Sequence, residues 1–358
     1  MALKRKDEMK METLKSTLET IGGLDAEAMQ QAQAHIDQLT KPPGSLGKLE
    51  QLAIRLAGMT GRFPLAERTK AIVVMAGDHG VCEEGVSAFP QEVTPQMVLN
   101  FLHGGAAVNV LGRHVGADVI CVDIGVKGEV AHERLWRRKI RPGTGNMALG
   151  PAMTREEAVA AIETGIEVVR QLAAQGYGVF ATGEMGIGNT TPSAAMLSVL
   201  GGLPPEQTVG RGTGIGDEAL ARKRLVVERA IALNKPDADD PIDVLAKVGG
   251  LEIAGLIGVV LGAASCRCPV VIDGYIATVA ALAACRLHPP ANAFIVASHL
   301  SEEPGHRAAL QLLGAEPMLL LNMRLGEGTG AALAMSLLDA AVKIANEMAT
   351  FESAGVSK

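Results

Sequence analysis

Gly178-Val-Phe-Ala-Thr-Gly-Glu-Met-Gly-Ile-Gly-Asn-Thr-Thr191 decides how this chain is read. Gly178 to Ala181 is a short apolar run of strand length. Gly183, Gly186 and Gly188 then interrupt it, and an Ala/Met/Leu run from Ala194 to Leu200 follows with helical character. Strand, glycine-lined turn and helix in that order make a βα unit. Such a turn also has a chemical use. Glycines let backbone N–H groups approach an anion, and a helix start leaves N–H groups without intrahelical partners. Gly186, Gly188, Asn189 and Thr190 are therefore candidates to cradle a phosphate, with a tight turn and a Thr N-cap as the structural alternative. No Gly-Lys-Ser/Thr follows, so this is not a Walker-type loop.

The same pattern recurs outward from this stretch. Ala71 to Met75 runs into Ala76-Gly-Asp-His-Gly80, and Val119 to Val122 into Asp123-Ile-Gly125. Pro269 to Ile272 runs into Asp273-Gly274, Ala293 to Ala297 into Ser298-His299, and Met318 to Met323 into Arg324-Leu-Gly-Glu-Gly328. These runs lack a polar face, as expected of strands buried on both sides of a parallel sheet. The expectation is an α/β fold with a doubly wound, mainly parallel, Rossmann-like sheet of about six strands. The polar and glycine residues fall after each run, at the carboxyl ends of strands, where open α/β sheets bind ligands. Asp78, His79, Glu184, Asn189, Asp273, His299 and Glu327 are thus expected to converge.

Residues 1–60 read as polar and helical, broken by Lys41-Pro-Pro-Gly-Ser-Leu-Gly47, and 331–358 as helical. The expected organisation is an α/β domain over 61–330, with 1–60 and 331–358 packing together as a small helical domain. Thr154-Arg-Glu-Glu157 is a capping-box pattern. Ile253 to Cys266 is too short to span a bilayer, and its Gly255, Gly258 and Gly262 suggest a closely packed core helix.

The net charge of -6 gives no reason to expect nucleic-acid or anionic-membrane partners. No apolar segment of signal-peptide type follows the basic residues at the start. Five cysteines in or beside apolar runs suggest reduced, buried thiols in a cytoplasmic protein. Cys266-Arg-Cys268 has no matching second pair, so no metal is expected. Aromatic residues make up only 3%, so a flat ligand would meet Met, Leu and backbone rather than stacked rings.

Single residues leave alternatives open. Glu327, with glycine on both sides, is a candidate general base or a helix-start carboxylate. Val209-Gly-Arg-Gly-Thr-Gly-Ile-Gly216 has the wrong spacing for a dinucleotide fingerprint and reads as a flexible loop. In Arg222-Lys-Arg224 a basic side chain either reaches a phosphate or is solvated. Asp78-His79 reads as a metal pair, an acid/base dyad or, with no other histidine nearby in register, a structural histidine. Serine-hydrolase and zinc-protease signatures do not occur.

In order and number these motifs resemble one family, the nicotinate-nucleotide–dimethylbenzimidazole phosphoribosyltransferases of cobalamin lower-ligand synthesis. The resemblance runs from Lys41-Pro-Pro-Gly-Ser-Leu-Gly-Lys-Leu-Glu50 through Ala76-Gly-Asp-His-Gly80, Glu84-Gly-Val-Ser87 and Pro90-Gln-Glu-Val-Thr94. It continues through Gly143-Thr-Gly-Asn-Met147, Gly150-Pro-Ala-Met153, Gly183-Glu-Met-Gly186 and Asn189-Thr-Thr-Pro192. Ile242-Asp-Val-Leu245, Lys247-Val-Gly-Gly250, Asp273-Gly274, Ser298-His299 and Arg324-Leu-Gly-Glu-Gly328 complete it. Residues 1–20 fall outside.

The resemblance implies a homodimer, Glu327 as general base, and Glu184, Gly186 and Lys223 at the ribose-phosphate end of the site. It implies transfer of 5-phosphoribose from nicotinate mononucleotide to 5,6-dimethylbenzimidazole, giving α-ribazole 5′-phosphate and nicotinate without a cofactor. Ser87 and Gln91 are the expected polar contacts to the base and Leu325 an apolar one. A nucleoside phosphorylase or hydrolase, or a nucleotide-binding protein without chemistry, remains the alternative on residues alone.

Overall fold

The computed structural model describes residues 13–357. Its main sheet has six strands, all paired in parallel, in the order β3-β2-β1-β4-β5-β6. They are β1 (Thr69–Gly77), β2 (Ala117–Gly125), β3 (Trp136–Arg137), β4 (Tyr177–Met185), β5 (Val270–Ile272) and β6 (Ile295–Ala297). The chain winds from β1 to one edge and then returns to β4 on the other side of β1. The direction of winding therefore reverses between β1 and β4, and a crevice opens there at the strands' carboxyl ends.

Helices cover both faces because β1 is apolar on both. Ile72 faces α3 (Ala107–Val115) and the turn before the last long helix, whereas Met75 faces a helix on the opposite side. Their odd spacing along the strand requires this. The helix over Met75 is α7 (Leu251–Ser265), which packs on β1, β2 and β4 and beside α4 (Arg155–Ala174). Every residue of α7 up to Ala264 is buried, as the unbroken apolar run requires. The capping box at the start of α4 forms: the Glu157 N–H donates to Thr154 Oγ1 at 3.1 Å, and the Thr154 N–H to Glu157 Oε2 at 2.9 Å.

The glycines of α7 let its backbone touch that of α4. A Cβ on Gly258 would lie 1.9 Å from the Ile162 carbonyl oxygen, and one on Gly165 would lie 2.0 Å from that of Gly255.

Two ends of the described chain meet on the sheet's flank. Leu39 and Thr350 form an antiparallel bridge, the Thr40 N–H donates to the Ala349 carbonyl at 3.0 Å, and the Phe351 N–H to that of Gln38 at 2.9 Å. Helix α1 (Ala26–Ile36) packs on α2 (Lys48–Thr60), and α9 (Thr329–Glu347) packs on α2, α3, β4 and β5. Three further helices bear on the site: α5 (Thr190–Gly201), α6 (Asp217–Asn234) and α8 (Tyr275–Leu287).

One expected strand is corrected. Met318 to Met323 does not join the main sheet, whose sixth member is Trp136–Arg137. Only Leu319–Leu320 is extended, paired in parallel with His299–Leu300 as a separate two-stranded sheet. Leu320 is 74% exposed and Leu321 is 47% exposed, so this run is not buried on two faces. The thiols also differ in part from expectation: Cys121 and Cys268 are buried, but Cys82, Cys266 and Cys285 are only half-buried, and all five are free.

The contact between α4 and α7 sets a stability prediction. Gly258→Ala forces a methyl against a backbone carbonyl and should destabilise the fold by roughly 1–3 kcal/mol. Gly255→Ala should cost less, since its Cβ would meet Met75 and Ile124 side chains no closer than 3.0 Å. Denaturant midpoints of the two variants compare them directly.

Candidate active site

Glu184 lies near the carboxyl end of β4 and is buried. Its two carboxyl oxygens serve two different segments. The Asn189 side-chain amide donates to Oε2, and the Glu327 backbone N–H donates to Oε1 at 3.2 Å. One side chain thus ties the glycine turn before α5 to the glycine turn before α9. Burial pushes the Glu184 carboxyl up to about 7, against the pull of these two donors.

The turn carrying Glu327 has an uncommon backbone. Gly326, Glu327 and Gly328 have φ of 84°, 64° and 100°, all in the left-handed region. Glycine adopts it freely, but glutamate does so only when its surroundings hold it there. Glu184 holds the Glu327 N–H. The Asp273 carboxylate, at the end of β5, accepts from the Gly328, Gly330 and Ala331 N–H groups at 3.1, 2.8 and 3.0 Å. The Thr329 hydroxyl closes the turn on the Gly326 carbonyl at 2.8 Å.

The Glu327 side chain is buried, and its Oε2 has no hydrogen-bond partner among the described residues. Burial raises its pKa and the nearby Asp273 charge adds to this, while the Val108 N–H at the start of α3 opposes both. Burial prevails over the lowering effect of a helix start. Leu325, expected as an apolar contact to the base, lines the cavity and is 57% exposed.

The sequence-predicted residues gather around a cavity of about 510 Å³ at the carboxyl ends of β4, β5 and β6. Glu184, Gly186, Gly188, Asn189, Thr190, Ser87, Leu325 and Glu327 all line it. Its apolar wall is built from Val86, Phe89, Val93, Met97 and Ile187. Two predicted residues stand behind the wall. Gln91 donates its amide to the His79 carbonyl at 2.5 Å. Lys223, on α6, is buried and donates to Thr190 Oγ1 at 2.6 Å and to the Gly210 carbonyl at 3.2 Å. Burial lowers its pKa to about 8, against the nearby Glu303 carboxylate. Arg222 is exposed and pairs with Glu218, so Lys223 is the inward member of that basic run.

Asp78 and His79 converge on the strand ends without lining the cavity. His79 Nε2 lies 2.8 Å from Glu252 Oε1, and both residues are buried. Asp78 Oδ2 accepts from the Lys127 N–H at 2.7 Å. Asp273 and His299 do line the cavity. Sequence reasoning missed Thr213, Glu303 and Arg324. The loop read as flexible brings Thr213 to within 3.3 Å of Ser87, hydroxyl to hydroxyl. Its glycine density was the available signal. No cluster of three or more potential metal-ligating side chains occurs among the described residues.

The buried Glu184 yields a prediction with a definite sign. Its folded pKa is raised, so the charged form is penalised by folding, and stability is lost as pH rises from about 4.5 towards 7. Glu184→Gln carries no such charge. Relative to wild type, its Tm should improve between pH 5 and pH 8; thermal melts at both values measure this, and a constant difference would contradict it.

The phosphoribosyltransferase family profile matches residues 21–356. Over 349 residues the chain is 56% identical to the nicotinate-nucleotide–dimethylbenzimidazole phosphoribosyltransferase of Geobacter sulfurreducens, covering 97% of this chain and 99% of that one. It is 54% identical over 347 residues to the protein of the same name from Halalkalibacterium halodurans, with 97% of each covered. The crystal structure of CobT from Thermus thermophilus superposes with a TM-score of 0.89 at 51% identity, covering 93% of this chain and 99% of that one. With the family profile spanning nearly all the described residues, this chain belongs to the nicotinate-nucleotide–dimethylbenzimidazole phosphoribosyltransferase family.

Proposed function

We propose that this pentosyltransferase moves 5-phosphoribose from nicotinate mononucleotide to 5,6-dimethylbenzimidazole, with inversion at C1′ and Glu327 as general base, in assembly of the cobalamin nucleotide loop. The observation that carries the catalytic reading is Glu327 Oε2, buried beside an apolar-walled cavity with no partner among the described residues. The lone-pair nitrogen of the benzimidazole attacks C1′, and a new N–C1′ bond forms as the bond to the pyridinium nitrogen breaks. The breaking bond's electrons neutralise the pyridinium ring, so nicotinate leaves without a general acid. The second benzimidazole nitrogen must lose its proton, and Glu327 accepts it. This is why one essential carboxylate suffices, unlike the paired acids of most glycosidases.

The opposite end of the site suits the phosphate. The Gly186–Asn189 turn and the start of α5 offer backbone N–H groups, Thr190 a hydroxyl, and Lys223 a cation behind it. Glu184 lies between the two ends, where its charge would favour the developing positive ribose ring. Ser87 and Leu325 line the base side, and Gln91 would act there through the His79 backbone.

In the same reading, residues 61–330 form the catalytic domain, with 1–60 and 331–358 as a helical companion. The bridge between Leu39 and Thr350 and the packing of α1, α2 and α9 support that division; residues 1–12 lie outside the described residues. The reading includes a cytoplasmic homodimer. Leu320, Leu321 and Leu325, apolar and exposed within six residues of one another, support a second copy packing on this segment. No helix among the described residues is long and apolar enough to cross a membrane.

The deciding assay is nicotinate release from nicotinate mononucleotide, with and without dimethylbenzimidazole. Wild type should release nicotinate only with the base present, and Glu327→Gln should lower kcat by about 10²–10⁴ with nucleotide binding retained. Release without the base would identify a hydrolase; no release would identify a binding protein; full activity of the variant would remove Glu327 from the mechanism.

Lys223→Met tests the phosphate end by calorimetric titration with nicotinate mononucleotide. Loss of a charge-assisted contact should weaken binding about 10- to 100-fold. Lys223 is cationic below about 8, so wild-type binding should weaken as pH rises through that value, and the variant's should not.

A further inference from the structure

Asp273 is the largest polar commitment of the site that the transfer chemistry leaves without a role. It is buried at the carboxyl end of β5, on a different strand from Glu184 and on a different segment from Glu327. The first N–H groups of any helix lack intrahelical acceptors, and an N-cap side chain ordinarily supplies one. Helix α9 has Gly328 at its N-cap, which has no side chain to offer. Asp273 replaces it from across the sheet. Its Oδ2 takes the Gly328 N–H at 3.1 Å, and its Oδ1 takes those of Gly330 and Ala331 at 2.8 and 3.0 Å.

The consequence falls on Glu327. The peptide plane before its Cα is held by Glu184 through the Glu327 N–H at 3.2 Å, and the plane after it by Asp273 through the Gly328 N–H. With both planes held, φ and ψ at Glu327 are held, and so is the direction of its Cα–Cβ bond. Its left-handed φ of 64° is a conformation a free turn would leave.

We propose that Asp273 is a positioning residue of the transfer reaction, whose carboxylate aims the Glu327 side chain by clamping the turn that follows it. The inference rests on Glu327 being the general base. Asp273 is itself well held: its N–H donates to Thr182 Oγ1 at 3.1 Å and its carbonyl accepts from Ser298 Oγ at 3.0 Å. The charged and titratable groups facing this corner are Glu184 from β4, His299 with Nδ1 at 3.9 Å from Oδ1, Glu252 from α7 and Glu327.

The test is steady-state kinetics of Asp273→Asn as a function of pH, beside Glu327→Gln. Asparagine keeps the volume and one oxygen but turns an NH₂ towards an N–H donor. A misaimed base should lower kcat about 10²-fold, with KM for nicotinate mononucleotide unchanged. Removing the negative charge beside Glu327 should also move the acid limb of kcat to lower pH, which loss of folded protein alone would not do. Wild-type kcat with an unmoved acid limb in folded Asp273→Asn, while Glu327→Gln is inactive, overturns the inference and leaves the general base intact. Full activity of Glu327→Gln overturns both. If Asp273→Asn does not fold, Asp273→Glu keeps the charge and displaces it by one methylene. There kcat should fall with the acid limb in place, and wild-type kcat would overturn the inference.

Discussion

The site depends on a carboxylate taken out of water and compensated by one side-chain amide and one backbone N–H. Glu184 is buried at the point where the sheet reverses its winding, and its desolvation is offset by donors from two segments distant in sequence. The same buried acid takes a side-chain N–H from the Gly186–Asn189 turn and a backbone N–H from the Gly326–Gly328 turn, and so links the two. Each turn has further support of its own: Thr94 accepts from the Ile187 N–H, and Asp273 and Thr329 hold the second turn.

Charge is distributed unevenly along the cavity. Asp273 and Glu327 lie at one end, Glu184 lies between, and Lys223 lies behind Thr190 at the other end. Nicotinate mononucleotide carries its phosphate at one end and, at the other, a pyridinium bearing its own carboxylate. In the proposed reading the phosphate takes the Lys223 end, and its remote binding would hold C1′ for attack. Burial also leaves the carboxyl groups less acidic than in water, which suits the general-base role proposed for Glu327.

The fold was legible wherever apolar runs were long and buried on both sides, as in β1, β2 and β4. Trp136–Arg137 was not, since a two-residue edge strand has no periodicity to read. Met318 to Met323 misled because four apolar residues look alike in a core strand and on an exposed edge. The convergence of Glu184, Asn189, Asp273, His299 and Glu327 followed from the rule that parallel strands present their carboxyl ends together. What each residue does there did not follow. That Lys223 rather than Arg222 turns inward depends on the phase of α6, and Asp78 and His79 fall behind the wall because Glu252 and the Lys127 N–H claim them. Thr213 lay in a glycine-rich loop with no periodic signal at all.

The pairing of Gln38–Thr40 with Ala349–Phe351 bears on how the chain acquires its shape during synthesis. Helices α1 and α2 emerge from the ribosome before every strand of the main sheet, yet part of the apolar surface they bury belongs to α9, which is made after all of those strands. Until then that surface has no native partner, and closing the contact encloses almost the whole intervening chain. Vectorial folding can complete the strands in order, but it cannot complete this flank. Helices α1 and α2 must wait for α9, and during that interval they expose apolar surface that a chaperone could cover.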